Sequence, residues 1–353
     1  MSIIKPQRLH KGDTVAVISP SWGCAGSSRV LWKYQLGCKR LEELGLKVIT
    51  APNALRGTGY LRENPGARAD DLMWAFGNKE VKAIIAAIGG NDAVSLLPYL
   101  SSGTITGNPK IFCGYSDIMI LHLFCLRAGL MTYYGDNLLT SIAESAGWHP
   151  YSRYWFEKTF FDSSDIGEIE PSKEWSSSKE NLTDRTYRKL YTSNEGYYYV
   201  QGKGKVRGRL FGGHTDLRTL RFPDGSSVVR KEDMNGSILF FEDIPEFCTE
   251  DKIADFFDWL GQMGYLEILS GVIIGKMRMR GSFEPYAERI RRIVTGKYHC
   301  ADLPVMGDMN FGHSSPMFIL PYGAQAELDI DSLRFYIPEC GAVQQRIIDK
   351  ADC

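Results

Sequence analysis

Three side chains in this chain of 353 residues have the types and settings that acyl transfer needs. Ser116 stands between the apolar run Ile111-Phe112-Cys113, which reads as a buried strand, and residues 118–130, apolar nearly all round like a buried helix. A serine on such a turn points its hydroxyl outward, with free N–H groups and positive partial charge at the helix start behind it. That setting suits a nucleophile beside which negative charge develops. A serine there is also an ordinary helix cap, so the case depends on its partners. A hydroxyl needs a base at neutral pH, and an imidazole needs an acid to hold its tautomer. His313, in Phe311-Gly312-His313-Ser314-Ser315-Pro316, is the candidate base. Glu242, at the end of the apolar run 237–241, is the candidate acid, with Asp243 beside it as a competitor. Spacing alone does not bring the three together.

The elements that must position them follow from hydrophobic pattern. Residues 14–18 form a continuous β-branched run, the mark of a central parallel strand. A helix follows to Leu44, closed by Gly45. The pattern then predicts strands at 46–50, 81–88, 111–113 and 131–134, with helices from Pro65 to Phe76 and through Leu100. This alternation implies an α/β fold with a doubly wound sheet and a site at the carboxyl ends of its strands. Gly89-Gly90 ends one strand as Ser116 ends another, and a glycine turn lets backbone N–H groups approach a substrate closely. The N–H groups of Gly90 and Asp117 are therefore the candidate oxyanion hole; a plain turn is the other reading.

Residues 162–184 break the pattern: they are rich in Ser, Glu, Asp and Lys around a solitary Trp175. So long a polar stretch reads as both an interdomain crossing and an active-site loop, with Trp175 free to stack on a ligand or packed against a domain surface. Beyond it, strands are predicted at 197–200, 205–211, 237–241 and 271–275, helices at 251–260 and 285–294, and a closing β ribbon over 318–337. The expected division is an α/β domain over 1–165, a linker and loop over 166–196, and a β-rich domain over 197–353. The glycines at 202, 204 and 208 have the wrong spacing for a dinucleotide fingerprint.

Bulk properties narrow the class. A net charge of -1 argues against nucleic acid or an anionic membrane as the main partner. No apolar run reaches the roughly 18 residues of a membrane span, and the opening residues lack a signal core, so a cytoplasmic setting is expected. The eight cysteines form no C-x-x-C pair and read as buried thiols. The six histidines show no metal-ligand spacing, so neither a metal nor a cofactor is expected.

Taken in order, several stretches resemble the serine peptidases of the LD-carboxypeptidase and microcin C self-immunity (MccF) family. They are Leu9-His10-Lys11-Gly12-Asp13 through Ser21, Gly89-Gly90, Gly114-Tyr115-Ser116-Asp117, Leu239-Phe240-Phe241-Glu242-Asp243, Phe311 to Pro316, and Leu320-Pro321-Tyr322-Gly323. The resemblance implies a Rossmann-like parallel-sheet N-terminal domain, a smaller β-rich C-terminal domain and a homodimer. It implies Ser116 as nucleophile, Glu242 as orienting acid and His313 as base, with Gly90 and Asp117 as oxyanion donors. It also implies one of two small-molecule substrates. MccF-like members hydrolyse the amide between an aminoacyl group and a modified nucleotide, and Glu170 to Trp175 resembles their insert, whose Trp stacks on adenine. LD-carboxypeptidases release terminal D-alanine from murein tetrapeptides. Gly89, Trp175 and His214 are the expected substrate contacts. His214 departs from the family pattern, which has Asn after the Gly212-Gly213 pair. A two-lobed binding module without chemistry is the reading from another class.

Overall fold

The computed structural model describes residues 3–344. Its first sheet contains β1 (Thr14–Ile18), β2 (Lys47–Thr50), β3 (Val81–Ala86), β4 (Ile111–Gly114) and β5 (Tyr133–Tyr134), all parallel, in the spatial order β5-β4-β3-β1-β2. The order reverses at β1 and β3, and a doubly wound sheet opens its ligand crevice at such a point, beyond the strand carboxyl ends. The turns after β1, β3 and β4 carry Ser21-Trp22, Gly89-Gly90 and Ser116, so all three meet there. Helices α1 (Leu31–Glu43), α2 (Thr58–Glu63), α3 (Pro65–Gly77), α4 (Ser102–Gly107) and α5 (Met119–Arg127) cover the faces. β4 is buried throughout and β3 everywhere but at Lys82, which explains the unbroken apolar runs 111–113 and 83–86. The helix expected through Leu100 is a 3-10 helix over Ala93–Tyr99, where Pro98 has no N–H to give.

After helix α6 (Pro150–Phe160), eleven further strands follow: β6 (Gly167–Glu168), β7 (Glu174–Trp175), β8 (Thr192–Ser193), β9 (Tyr198–Gln201), β10 (Lys205–His214), β11 (Ser237–Glu242), β12 (Gly271–Gly275), β13 (Val305–Met309), β14 (Leu320–Pro321), β15 (Gln325–Asp329) and β16 (Arg334–Ile337). Eight form a second sheet, β6-β16-β15-β10-β11-β12-β13-β9, whose centre from β10 to β13 is parallel and whose edges are antiparallel. The C-terminal part is thus strand-rich as expected, and its sheet has more strands than the first. β11 is buried along its whole length, and Phe240 and Phe241 have no exposed surface. Burial of each such ring contributes roughly 1.5–3 kcal/mol.

The two halves are interleaved at more than one point. Residues 166–196, expected as linker and loop, contribute β6 to the edge of the second sheet and pair β7 with β8. β14 returns from the C-terminal half to pair with β5 of the first sheet. Of the cysteines, Cys24, Cys113, Cys125 and Cys248 are buried and Cys38, Cys300 and Cys340 partly so; Cys353 lies outside the described residues. Among the described residues no helix is long and apolar enough to cross a membrane.

Close packing falls on Gly212, within the second sheet, and on Gly213, between the halves. A Cβ on Gly213 would lie 2.2 Å from the sulfur of Met119, the first residue of α5, and one on Gly212 would lie 1.7 Å from the carbonyl oxygen of Phe240. The Phe240 carbonyl is part of the sheet and cannot move aside. Gly212→Ala is therefore expected to lower stability by roughly 3 kcal/mol or more, the upper range for overpacking. Gly59→Ala, in α2 with nothing within 4 Å of the new Cβ, is expected to be neutral or to stabilise by up to ~1 kcal/mol. Urea unfolding of both variants measures the contrast.

Candidate active site

β4 ends in the crevice, and the chain then reverses so sharply that Ser116 takes a φ of +67° before a 3-10 turn leads into α5. A side chain in that region is strained, and the strain is tolerated where surrounding contacts hold the backbone. Here the Ser116 N–H donates to the Tyr134 hydroxyl oxygen at 3.1 Å, and that hydroxyl donates to Glu242 Oε1 at 2.5 Å. Gly89 completes the fit: a Cβ there would lie 2.8 Å from the Cβ of Ser116 and 3.1 Å from its hydroxyl.

The second half supplies the other two side chains. Glu242 closes β11 with no exposed surface, and His313 follows β13 on a loop. His313 Nε2 is 3.0 Å from Ser116 Oγ, and its Nδ1 is 2.7 Å from Glu242 Oε2. The His313 backbone N–H donates to the same carboxylate oxygen at 3.0 Å. An ionised carboxylate can only accept, so Nδ1 carries the proton and Nε2 presents its lone pair to the serine. Burial alone would raise the Glu242 carboxyl, but His313, His214 and the Tyr134 hydroxyl hold it below its ordinary value. Residue 312 must be glycine, because a Cβ there would lie 2.4 Å from Glu242 Oε2. Tyr115 packs its ring edge-on against His313 at 5.1 Å.

Asp117 also does something that its sequence position does not reveal. Its Oδ2 accepts from the Ser21 hydroxyl at 2.5 Å and from the backbone N–H groups of Asp92 and Ala93, both at 2.7 Å. The residue after Ser116 thus ties down the Gly89-Gly90 turn. The Gly90 N–H has no hydrogen-bond acceptor among the described residues. Gly90 and Ser116 line one cavity of about 280 Å³, together with His313, Trp22, Ile244, Glu180 and Lys189.

Two expected contacts lie elsewhere. Trp175 is only 4% exposed, with Lys276 and Arg278 over its ring at 4.9 and 4.3 Å, and it does not line the Ser116 cavity. The expectation of a free stacking face is corrected: two cations that pair with Asp308 cover the ring. His214 is likewise outside the cavity lining. Its Nδ1 lies 3.2 Å from Asp216 and its Nε2 3.1 Å from Asp243, so both nitrogens face carboxylates rather than a ligand. Asp243, the competitor of Glu242, is committed to His214, Lys252 and Thr215. Sequence reasoning missed Tyr134, the Asp117 carboxylate and Glu180. Glu180 sat in the segment expected as an active-site loop, but nothing in its pattern singled it out from the other polar residues there.

The residues of both halves match known sequence families. Residues 15–135 match the LD-carboxypeptidase N-terminal domain and residues 207–328 match the LD-carboxypeptidase C-terminal domain. The chain belongs to the LD-carboxypeptidase family. It is a serine-type carboxypeptidase or amidohydrolase. The microcin C7 self-immunity protein MccF of Escherichia coli is 29% identical over 344 residues, covering 94% of each chain. The crystal structure of an MccF-like protein from Streptococcus pneumoniae in complex with AMP superposes with a TM-score of 0.82 at 27% identity, covering 92% of this chain and 98% of that one. MccF in complex with aspartyl sulfamoyl adenosine matches with a TM-score of 0.81 at 26% identity, covering 96% and 99%.

His214 gives this region of the LD-carboxypeptidase fold a testable pH dependence. Burial works against its charge, but Asp216 and Asp243, with Glu242 nearby, outweigh burial and raise it to about 10. A raised pKa means that the folded state holds the proton more tightly than the unfolded chain, whose imidazole titrates at roughly 6.5. The stabilisation is complete below that value and is lost as pH rises through about 10. Urea unfolding should show His214→Gln well below wild type at pH 6, with the gap closing at pH 10.

Proposed function

We propose that this enzyme is MccF-like and hydrolyses the amide between an aminoacyl group and a modified nucleotide. The observation that carries the proposal is the line Ser116–His313–Glu242, at 3.0 and 2.7 Å, on the wall of a cavity of about 280 Å³. In this reading the Ser116 oxygen attacks the amide carbonyl while His313 Nε2 takes its proton. Glu242 holds the imidazole in its productive tautomer and stabilises the imidazolium that forms. The N–H groups of Gly90 and Asp117 carry the oxyanion, positioned by the Asp117 carboxylate network. His313 then protonates the leaving amine, and water, activated by the same nitrogen, releases the acyl group from Ser116. The substrate class rests on the likeness to MccF, whose solved complex holds aspartyl sulfamoyl adenosine. The homodimer and the cytoplasmic setting belong to the same proposal.

One observation favours the second reading, a murein tetrapeptide LD-carboxypeptidase. The Trp175 ring that would stack on a purine is covered by Lys276 and Arg278. A peptide stem needs no such platform.

The two readings separate in parallel assays of an aminoacyl sulfamoyl adenosine and a murein tetrapeptide. The proposal expects kcat/KM for the nucleotide to exceed that for D-alanine release by at least ~10-fold, a difference of about 1.4 kcal/mol in transition-state binding. The reverse order selects the second reading. Ser116→Ala should lower kcat by ~10⁴-fold or more with little change in KM, as losses of a triad nucleophile do. Near-normal turnover in that variant removes Ser116 from the mechanism.

A further inference from the structure

We propose that the polar end of the Ser116 cavity receives a primary ammonium group on the acyl part of the substrate, with the Glu180 carboxylate as its partner; this rests on the functional reading above. Glu180 comes from the polar stretch 162–184, yet its side chain is 1% exposed and lines the same cavity as Ser116. Its Oε1 is fully used: it accepts from Lys33 Nζ and from the Ser145 N–H and hydroxyl at 3.1 and 2.8 Å. Its Oε2 is buried and has no hydrogen-bond partner among the described residues, the nearby cation Lys189 standing 3.7 Å away. The Ser314 hydroxyl, on the same cavity and 1% exposed, is also without a partner.

A count of donors and acceptors decides what would fit. Lys33 already donates to Glu180, to the Ser145 hydroxyl at 3.1 Å and to the Asn181 carbonyl at 3.3 Å, which uses its three protons. Lys189 donates to Glu144 at 3.2 Å and to the Ser315 hydroxyl at 2.6 Å, and its one remaining N–H does not reach Glu180 Oε2, which lies 3.7 Å from Nζ, beyond hydrogen-bond distance. Glu144 is satisfied in turn by Lys189 and the Tyr191 hydroxyl. The four buried charges therefore balance, and the group left over is an anionic acceptor. An anion would face that carboxylate with every positive charge already paired, whereas an ammonium brings the hydrogen-bond donor that Oε2 lacks. The acyl group of an aminoacyl nucleotide carries such an ammonium next to the bond that is cut.

The test compares an aminoacyl sulfamoyl adenosine with its des-amino counterpart, in which hydrogen replaces the ammonium. Wild type is expected to favour the amino substrate in kcat/KM by roughly 10- to 100-fold, the range of a hydrogen bond to a charged group. Glu180→Gln should reduce that ratio to within about threefold of one, because the amide keeps the shape and loses the charge. Since Glu180 also pairs with Lys33, Ser314→Ala serves as a second variant that leaves the ion pairs whole, and its ratio should fall several-fold. A ratio near one in wild type, or an unchanged ratio in both variants, overturns the inference while leaving hydrolysis of the nucleotide intact. Wild type that hydrolyses neither substrate overturns the functional reading and this inference together.

Discussion

The site depends on a carboxylate that has no contact with water. Glu242 is fully buried at the end of β11, and a buried charge is costly unless every lone pair is used. His313 and Tyr134 use them: the imidazole and the backbone N–H of His313 bind one oxygen, and the Tyr134 hydroxyl binds the other. Each partner then acts on Ser116, His313 through its second nitrogen and Tyr134 by accepting the serine N–H. One charge therefore orders the imidazole, its tautomer and the strained backbone of the serine at once. Removal of either partner would leave the carboxylate unsatisfied, which ties the local stability to the geometry that chemistry requires.

This arrangement needs both sheets, since Ser116 and Tyr134 stand on the first, and Glu242 and His313 come from the second. The halves are held in register by direct contact: β14 pairs with β5, and Gly213 lets β10 pack against Met119 at the start of α5. Glycine is required where two backbones or a backbone and a functional side chain meet, as at Gly89 beside Ser116 and Gly312 beside Glu242. Rigid positioning of this kind is what an acyl-transfer site needs, because small displacements of the reacting groups cost large factors in rate.

The central parallel strands were legible because they are buried on both faces and so carry unbroken apolar runs, as 15–18, 83–86 and 238–241 do. Ser116 was legible for the same reason: a strand and a helix of clear period leave a turn between them. Glu242 and His313 were visible only as element ends; that they meet depends on contacts across 71 and 197 positions, which no local pattern encodes. The pattern of the polar segment 162–184 marked a loop near the site but neither singled out Glu180 nor decided whether Trp175 is free or packed. In the fold that segment turns inward: Glu180 pairs with the buried Lys33, and Trp175 lies beneath Lys276 and Arg278. Polarity predicts exposure only when no buried partner of opposite charge waits elsewhere in the chain.

The central claim is that Glu242, through His313, makes the Ser116 hydroxyl reactive. The most direct measurement is the rate of covalent labelling by a serine-directed fluorophosphonate, with the modified peptide mapped by mass spectrometry. The account predicts a single label on Ser116 whose rate follows the ionisation of one imidazole and falls by roughly 10²-fold or more in Glu242→Gln and His313→Ala. A label on another residue, or a Ser116 label formed as fast in both variants as in wild type, would contradict it.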